Sequence, residues 1–437
     1  QSLTIKPTFL DPVFSLYVLG VAIALLVLMY LFVTEPAWGA LRGFRLAGGA
    51  FAAMVGGGIV LRMLLVPLGS GDLGVFMQWL NSIVTHGGFA SLDRSFYDYT
   101  PFFPYMMATL APLNLPPEFT IKLPAIIFDI IMAFLVMHMV LRLTGKRQQA
   151  VAAFFAVFFL PSVMLNSAWW GQCDVVYTAF LLMSMLYLAK DTVSRRDSLV
   201  AMIYLGLGFA FKQQVVFLAP LFLILLLKRK IVFWHVMIVP LMYVAVMIPA
   251  WIAGRPLGDL MTIYIGQAKM FSSLTLHLPN MYEWFPAQPV LSTWGLVATG
   301  AFVIGLTWFA LSQKKQEGPV LQIQIALLSA LAIPFLLPHM HERYYFIADV
   351  LAVLYAFLVP GRWYLSVLVG GTSFFAYQPF LFAKQGPVAP PILALVIVVA
   401  IGIIARDMLR SYSAESEKQG ITKPDRKFRR RYALRRN

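Results

Sequence analysis

Long apolar runs separated by short polar stretches make up most of this chain. A membrane-crossing helix needs about 20 mostly apolar residues. Roughly thirteen stretches approach that length: 12–33, 46–68, 119–141, 148–165, 174–190, 198–211, 214–227, 231–252, 293–312, 319–337, 344–360, 364–382 and 389–406. Two of them, 198–211 and 214–227, are short enough to be a broken or re-entrant pair rather than two full crossings. The longest non-spanning stretches are about 69–118 and 253–292. In the first, Phe76, Trp79, Leu80 and Ile83 share one face by three-and-four spacing. Residues 75–86 and 102–112 are therefore expected as amphipathic helices lying in the interface and roofing a site at the membrane surface.

Composition fixes the class. Over 437 residues, 60% are hydrophobic and 12% charged, a balance that excludes a soluble globular chain. The expected fold is an all-α polytopic membrane protein, with one transmembrane domain over 1–410 and a basic tail over 411–437. No repeat at a fixed period, low-complexity linker or soluble domain stands out. Segment 12–33 is too long and wrongly flanked for the apolar region of a signal peptide, so it is read as a true span. The lone Cys173 excludes an intramolecular disulfide and a cysteine-based metal cluster, and is read as a small apolar filler.

The net charge of +15 would suit a nucleic-acid partner, but its distribution does not. Arg42, Arg45, Arg142, Lys146, Arg147, Lys190, Arg195, Arg196, Lys228, Arg229, Lys230, Lys314, Lys315 and Arg362 fall in loops on one side of the spans, with the tail. Only Lys6, Arg94, Lys122, Arg255, Lys269, Arg343 and Lys384 fall on the other. By the positive-inside rule the rich side is cytoplasmic, which puts the first residue and Asp72 outside and the tail inside. The tail run Lys423 to Arg436 is expected to rest on anionic lipid headgroups, so membrane lipids are expected partners and nucleic acid is not.

Carboxylates and aromatics concentrate on the outer side. Gly71-Asp72-Leu-Gly-Val-Phe76-Met-Gln-Trp79 follows a span directly, and Tyr97-Asp98-Tyr99-Thr100-Pro101-Phe102 comes soon after. Trp170-Gly171-Gln172-Cys173-Asp174, Phe211-Lys212-Gln213 and Pro338-His339-Met-His341-Glu342-Arg343-Tyr344-Tyr345 fall on the same predicted face. Asp72 is flanked by Gly69, Gly71 and Gly74, where backbone can approach a substrate closely. It also suits the N-cap of the helix that follows. Lys212 sits at a break between short apolar helices, where a charge is costly unless it is paired or lines a functional cavity. Arg62 and Asp129 lie inside spans and are read as a structural pair. His138 and His235 are read as ordinary helix residues, and Trp169 as part of the headgroup belt.

These five segments resemble the GT-C superfamily of membrane glycosyltransferases, which take a sugar from a polyprenyl-phosphate carrier. The nearest likenesses are the asparagine-linked glycosylation glucosyltransferases and bacterial proteins similar to the second GPI mannosyltransferase. An acidic residue, an aromatic and a tryptophan in the first outer loop match Asp72, Phe76 and Trp79. An Asp-Tyr-Pro-Pro element matches Asp98-Tyr99-Thr100-Pro101, with Thr in place of the first proline. Trp-Gly-Gln-x-Asp matches Trp170 to Asp174, Phe-Lys-Gln matches Phe211 to Gln213, and His-Glu-Arg matches His341 to Arg343. The likeness covers roughly 60–350, leaving out the first span and the last two.

The resemblance implies transfer of a hexose, glucose or mannose, from a polyprenyl-phosphate sugar to an acceptor hydroxyl on a lipid-linked or other glycan, with inversion. Such a transfer needs a carboxylate to take the acceptor proton and cations or donors to neutralise the departing phosphate. Asp72 is the expected base. Arg343, His341 and Lys212 are expected at the donor phosphate, an arginine fork suiting phosphate oxygens well. For Lys212 a structural pair with Asp129 or Asp174 stays open, and for Arg343 an interfacial anchor beside Tyr344 and Tyr345. Asp98, Tyr99, Trp170, Gln172, Asp174, Gln213, Glu342 and Asn280 are expected around the substrate. Asn280 resembles an Asn-rich element of bacterial relatives, with Tyr282 where they carry tryptophan. His339, His341 and Glu342 lack the spacing of a zinc helix, so no metal or other cofactor is expected, a divalent ion being the minority reading. The expected setting is a bacterial inner membrane with the site on the periplasmic face, with the endoplasmic reticulum as alternative. The rival classes are a transporter or flippase of a lipid-linked sugar and a non-catalytic lipid-binding protein.

Overall fold

The computed structural model describes residues 45–190, 192–313, 316–382 and 386–421. Expectations for span 12–33, for Lys6, Arg42, Lys314, Lys315 and Lys384, and for the basic run from Lys423 lie outside the described residues. The chain is all-α and polytopic, with two two-residue strands as its sheet among the described residues. Twelve of the thirteen expected apolar stretches fall within those residues, and each is helical. Among the described residues, seven helices are long and apolar enough by themselves to cross a membrane, or eight if one bent pair counts as a span. The others, such as Asp174–Leu188 and Phe346–Leu358, are shorter apolar helices. Both are largely buried among neighbouring helices.

Local chemistry sets where helices begin and end. Pro117 and Pro319 open their helices at the first turn, where a missing N–H costs nothing. A capping box between Ser194 and Asp197 starts Arg195–Phe211. Stretch 148–165 becomes Arg147–Phe158 followed by Pro161–Trp170, bent by 46° at the Leu160–Pro161 break. Lys212 adopts extended geometry (φ −153°, ψ 138°), which stops one helix and reverses the chain into Gln213–Leu227. The short pair is thus two antiparallel legs that meet at Lys212.

The bundle has two polar ends. At one, Lys228 pairs with Glu317 at 2.6 Å, and Tyr412 donates to the same carboxylate at 2.8 Å. Arg362 grips Asp407 through two nitrogens at 2.5 and 2.6 Å, and Tyr355 adds a bond at 3.0 Å. Arg142, Lys146, Arg147, Lys190 and Arg195 belong to the same end. Deep between the ends, the expected Arg62–Asp129 pair forms at 2.7 Å, with Ser167 donating to Asp129 at 2.6 Å. The opposite end carries Asp72, Asp98, Lys212 and Arg343.

At that end the long stretch after Gly254 is stitched down by strands β1 (Thr275–Leu276) and β2 (Met340–His341). They run parallel, with Thr275 opposite Met340 and Leu276 opposite His341. The amide of Glu342 continues the pairing by donating to the Leu276 carbonyl at 3.0 Å.

Candidate active site

The turn 66–70 delivers Asp72. Ser70, not Asp72, caps helix Gly71–Thr85, its hydroxyl accepting from the Leu73 amide at 3.2 Å. The helix buries Leu73, Phe76, Trp79, Leu80 and Ile83, the face read from the spacing plus one residue. Edge contacts of Phe76 with Phe103 (5.3 Å) and of Trp79 with Tyr99 (5.4 Å) lock it against the Tyr97–Phe103 segment. Asp72 is therefore relieved of capping and turns to partners far along the chain. Its Oδ2 accepts from Trp170 Nε1 at 2.9 Å and Gln172 Nε2 at 2.5 Å, and lies 3.4 Å from an Arg343 nitrogen.

Trp170 and Gln172 reach it because the bent span ends in a widened helical turn, Leu165–Trp170, closed by Gly171 at φ +81°. A Cβ there would stand 3.1 Å from a Leu73 methyl and in a backbone region L side chains avoid, so glycine is required. Both residues are fully buried. Gln172 also accepts from Tyr99 and Lys212, each at 3.3 Å. Lys212 pairs with Asp174 at 2.5 Å, the structural alternative left open by the sequence, and lies 5.1 Å from the Tyr99 ring centre. Asn166 Nδ2 donates to the other Asp174 oxygen at 2.9 Å.

Segment Pro338–Tyr345 supplies Arg343. Its guanidinium stands among three carboxylates, 3.2 Å from Glu342, 3.4 Å from Asp72 and 3.7 Å from Asp174. Its buried Nε has no hydrogen-bond partner among the described residues. Charge-assisted bonds of this type usually measure about 2.7–2.9 Å, so the Glu342 contact is a long hydrogen bond and the other two are ion pairs only. Burial pushes the Glu342 carboxyl up to about 7, against the pull of Arg343. Burial, with the charges of Arg343 and Lys212 nearby, pushes His341 down to about 2. His341 is thus a neutral ring, packed at its edges by Phe271 (4.7 Å) and Tyr344 (5.3 Å), and not a cation. Burial also raises the Asp98 carboxyl above its usual range, and Asp98 Oδ1 has no hydrogen-bond partner among the described residues.

A cavity of about 600 Å³ opens over this group. Asp72, Asp98, Tyr99, Lys212, Gln213, His341 and Arg343 line its polar part, and Phe76, Val216, Phe217, Phe271 and Leu296 its apolar part. Val216 and Leu296 are exposed on the flank of the bundle. A similar-sized apolar groove beside Phe357 and Phe374 contains none of the singled-out residues. Of the residues expected around the substrate, Trp170, Gln172, Asp174 and Glu342 lie behind the cavity wall and bond to Asp72, Lys212 and Arg343. Asn280 lies apart. It is fully buried, and its Oδ1 caps the turn Met281–Trp284 by accepting from the Tyr282 amide at 3.1 Å.

The sequence pattern assigns no site role to Ser70 or Asn166. A serine two residues before Asp72 and an asparagine eight before Asp174 are common residue types, and only the folded turns show their use. Among the described residues, no group of three or more His, Cys, Asp or Glu side chains gathers as a metal site.

Residues 98–252 match the family model of the dolichyl-phosphate-mannose-protein mannosyltransferases. The matched part is less than half of the chain. It includes Asp98, Tyr99, Trp170, Gln172, Asp174, Lys212 and Gln213, and leaves out Asp72 and Arg343. No curated protein matches the chain. That family is one of the GT-C superfamily, so the match supports the resemblance to that superfamily and spans three of the five motifs. The several spans and this match together support a multi-pass membrane glycosyltransferase of GT-C type.

Proposed function

We propose that the chain moves a hexose, with mannose the first candidate, from a polyprenyl-phosphate sugar to an acceptor hydroxyl. The acceptor oxygen attacks the anomeric carbon as the carbon–oxygen bond to phosphate breaks, which inverts that centre. Asp72 takes the acceptor proton. Polyprenyl phosphate leaves toward Arg343 and Lys212, with neutral His341 offering a hydrogen bond. Asp98, Tyr99 and Gln213 face the sugar. Trp170, Gln172 and Asp174 act from behind by holding Asp72 and Lys212. The reaction so drawn uses no cofactor.

The observation that carries this reading is the state of Arg343. It stands at the wall of the same cavity as Asp72, surrounded by carboxylates at 3.2–3.7 Å and with an unmet Nε. A guanidinium held this loosely suits an anion that comes and goes. Among the described residues, every contact to Asp72 falls on Oδ2, which leaves Oδ1 for a substrate hydroxyl. The apolar part of the cavity ends at Val216 and Leu296 on the bundle's flank, a way for an isoprenoid tail to stay in lipid. Mannose follows the family that matches; the loop charges favour the outer face, periplasmic in a bacterial inner membrane or lumenal in the endoplasmic reticulum. The acceptor is a lipid-linked or other glycan.

The test is transfer of labelled mannose and glucose from their polyprenyl phosphates to a lipid-extract acceptor pool by purified protein in nanodiscs. Label reaching the acceptor with wild type and not with Asp72→Asn supports the reading and names the sugar. Donor binding without transfer by wild type would sink it in favour of lipid-sugar transport.

A further inference from the structure

Behind Asp72 three segments distant in sequence converge on Lys122, in the second turn of helix Pro117–Thr144. Lys122 is fully buried and makes no ion pair among the described residues. Its ammonium donates to the carbonyls of Val66 (2.8 Å) and Leu68 (2.5 Å). These lie just past the end of helix Arg45–Leu65, where carbonyls lack helical partners and carry the negative end of the helix dipole. The lysine stem also backs the Gly171 turn: a Cβ on Gly171 would stand 3.4 Å from Lys122 Cε. The two turns so joined are further stitched by Ser70 Oγ donating to the Trp170 carbonyl (3.0 Å) and Trp169 Nε1 donating to the Gly69 carbonyl (3.3 Å). One of them leads into Asp72, and the other presents Trp170 and Gln172, its two hydrogen-bond donors.

A buried ammonium with no carboxylate at ion-pair distance, Glu118 one turn earlier acting on it from farther off, is costly in a membrane protein. Here it stands where one charge fixes both halves of the Asp72 environment. We propose that Lys122 is a positioning residue for transfer, holding the Val66–Ser70 turn against the Gly171 turn so that Asp72 keeps its orientation toward the cavity. This rests on Asp72 acting as the base. Lys122 itself does not line the cavity, so it acts through Asp72 and not on the donor.

The test compares Lys122→Met, which keeps the stem and removes the charge, with Lys122→Arg, which keeps the charge, in full-length protein in nanodiscs. Misplacing a reacting group by about 1 Å can cost about 100-fold in rate. Lys122→Met should lower kcat by about 10- to 100-fold while donor KM stays within about threefold, and Lys122→Arg should recover part of the loss. Hydrogen exchange at amides 69–74 should speed up in Lys122→Met and not in helix Arg195–Phe211. Unchanged exchange at 69–74, or a donor KM that worsens in step with kcat, would overturn the proposal. If Lys122→Met does not assemble, Lys122→Gln, a neutral donor, carries the same comparison. Absence of transfer by wild type would fail the Asp72 reading, and the exchange result would still decide whether Lys122 orders the turn.

Discussion

Two buried arginines, one in the scaffold and one at the cavity, differ in how fully their charge is answered. Arg62 meets Asp129 and the Phe158 carbonyl at 2.7 Å each, reaches the Gly58 carbonyl at 3.3 Å, and lies 4.0 Å from the Phe158 ring centre. Arg343 has three carboxylates around it, none nearer than 3.2 Å, and an Nε with no hydrogen-bond partner among the described residues. One carboxylate at full contact is a closed structural pair. Three at arm's length leave a cation that an incoming anion can claim without first breaking a strong bond. Asp129 accepts from Arg62 and Ser167 through Oδ2 and is fully buried, whereas Asp72 is shared among Trp170, Gln172 and Arg343 and reaches the cavity. The difference between the two arginines is thus the distance of their nearest carboxylate, 2.7 Å for Arg62 and 3.2 Å for Arg343.

The largest effect should come from removing the carboxylate on the site's side of this comparison. Asp72→Asn is expected to lower turnover by about 1,000-fold, within the range of general-base contributions, with a thermal midpoint close to wild type. Asp129→Asn should do the reverse. It leaves Arg62 buried without its counter-charge, at a cost of about 3–5 kcal/mol. The loss should appear as poor yield and a lowered thermal midpoint, while the folded fraction keeps a near wild-type rate.

Glu342 sharpens the contrast by its titration. Burial raises its pKa from 4.5 to about 7, so between those values the folded state holds a proton the unfolded state has released. Its contribution to stability is full below about 4.5 and is lost as pH rises through about 7, on the order of 3 kcal/mol in all. The wild-type thermal midpoint should therefore fall more steeply than that of Glu342→Gln between pH 5 and pH 8. Equal slopes would show that the carboxyl is already ionised in the fold. The smallest expected change is Ser70→Ala, which removes the cap beside Asp72 and costs about 1 kcal/mol, read as a slightly lower midpoint with turnover reduced only a few-fold.

Much of this arrangement was legible in the sequence. Three-and-four spacing gave the buried face of Phe76, Trp79, Leu80 and Ile83, and depth along two spans paired Arg62 with Asp129. Hydropathy located the long apolar helices among the described residues, seven of which meet the length and apolarity of a crossing by themselves. It cannot tell lipid around a helix such as Asp174–Leu188 from other helices. The order of five motifs pointed to the residues that gather at one end, although Trp170, Gln172 and Asp174 lie one layer behind the cavity. Their burial follows from the Gly171 turn and the bend at Pro161, which depend on packing between distant segments. Strands of two residues leave no periodic signal, so the β1–β2 stitch that seats Arg343 was invisible. Lys122 read only as one outer basic residue, because carbonyl acceptors such as Val66 and Leu68 leave no mark on a sequence.

The most direct measurement is equilibrium binding of polyprenyl phosphate, the proposed leaving group, to wild type, Arg343→Gln and Asp72→Asn in nanodiscs. If Arg343 is the loosely held cation that receives the phosphate, Arg343→Gln should weaken binding by about tenfold or more. Asp72→Asn, which removes a competing carboxylate, should bind as tightly as wild type or tighter. Unchanged affinity in Arg343→Gln, or lost affinity in Asp72→Asn, would contradict the account.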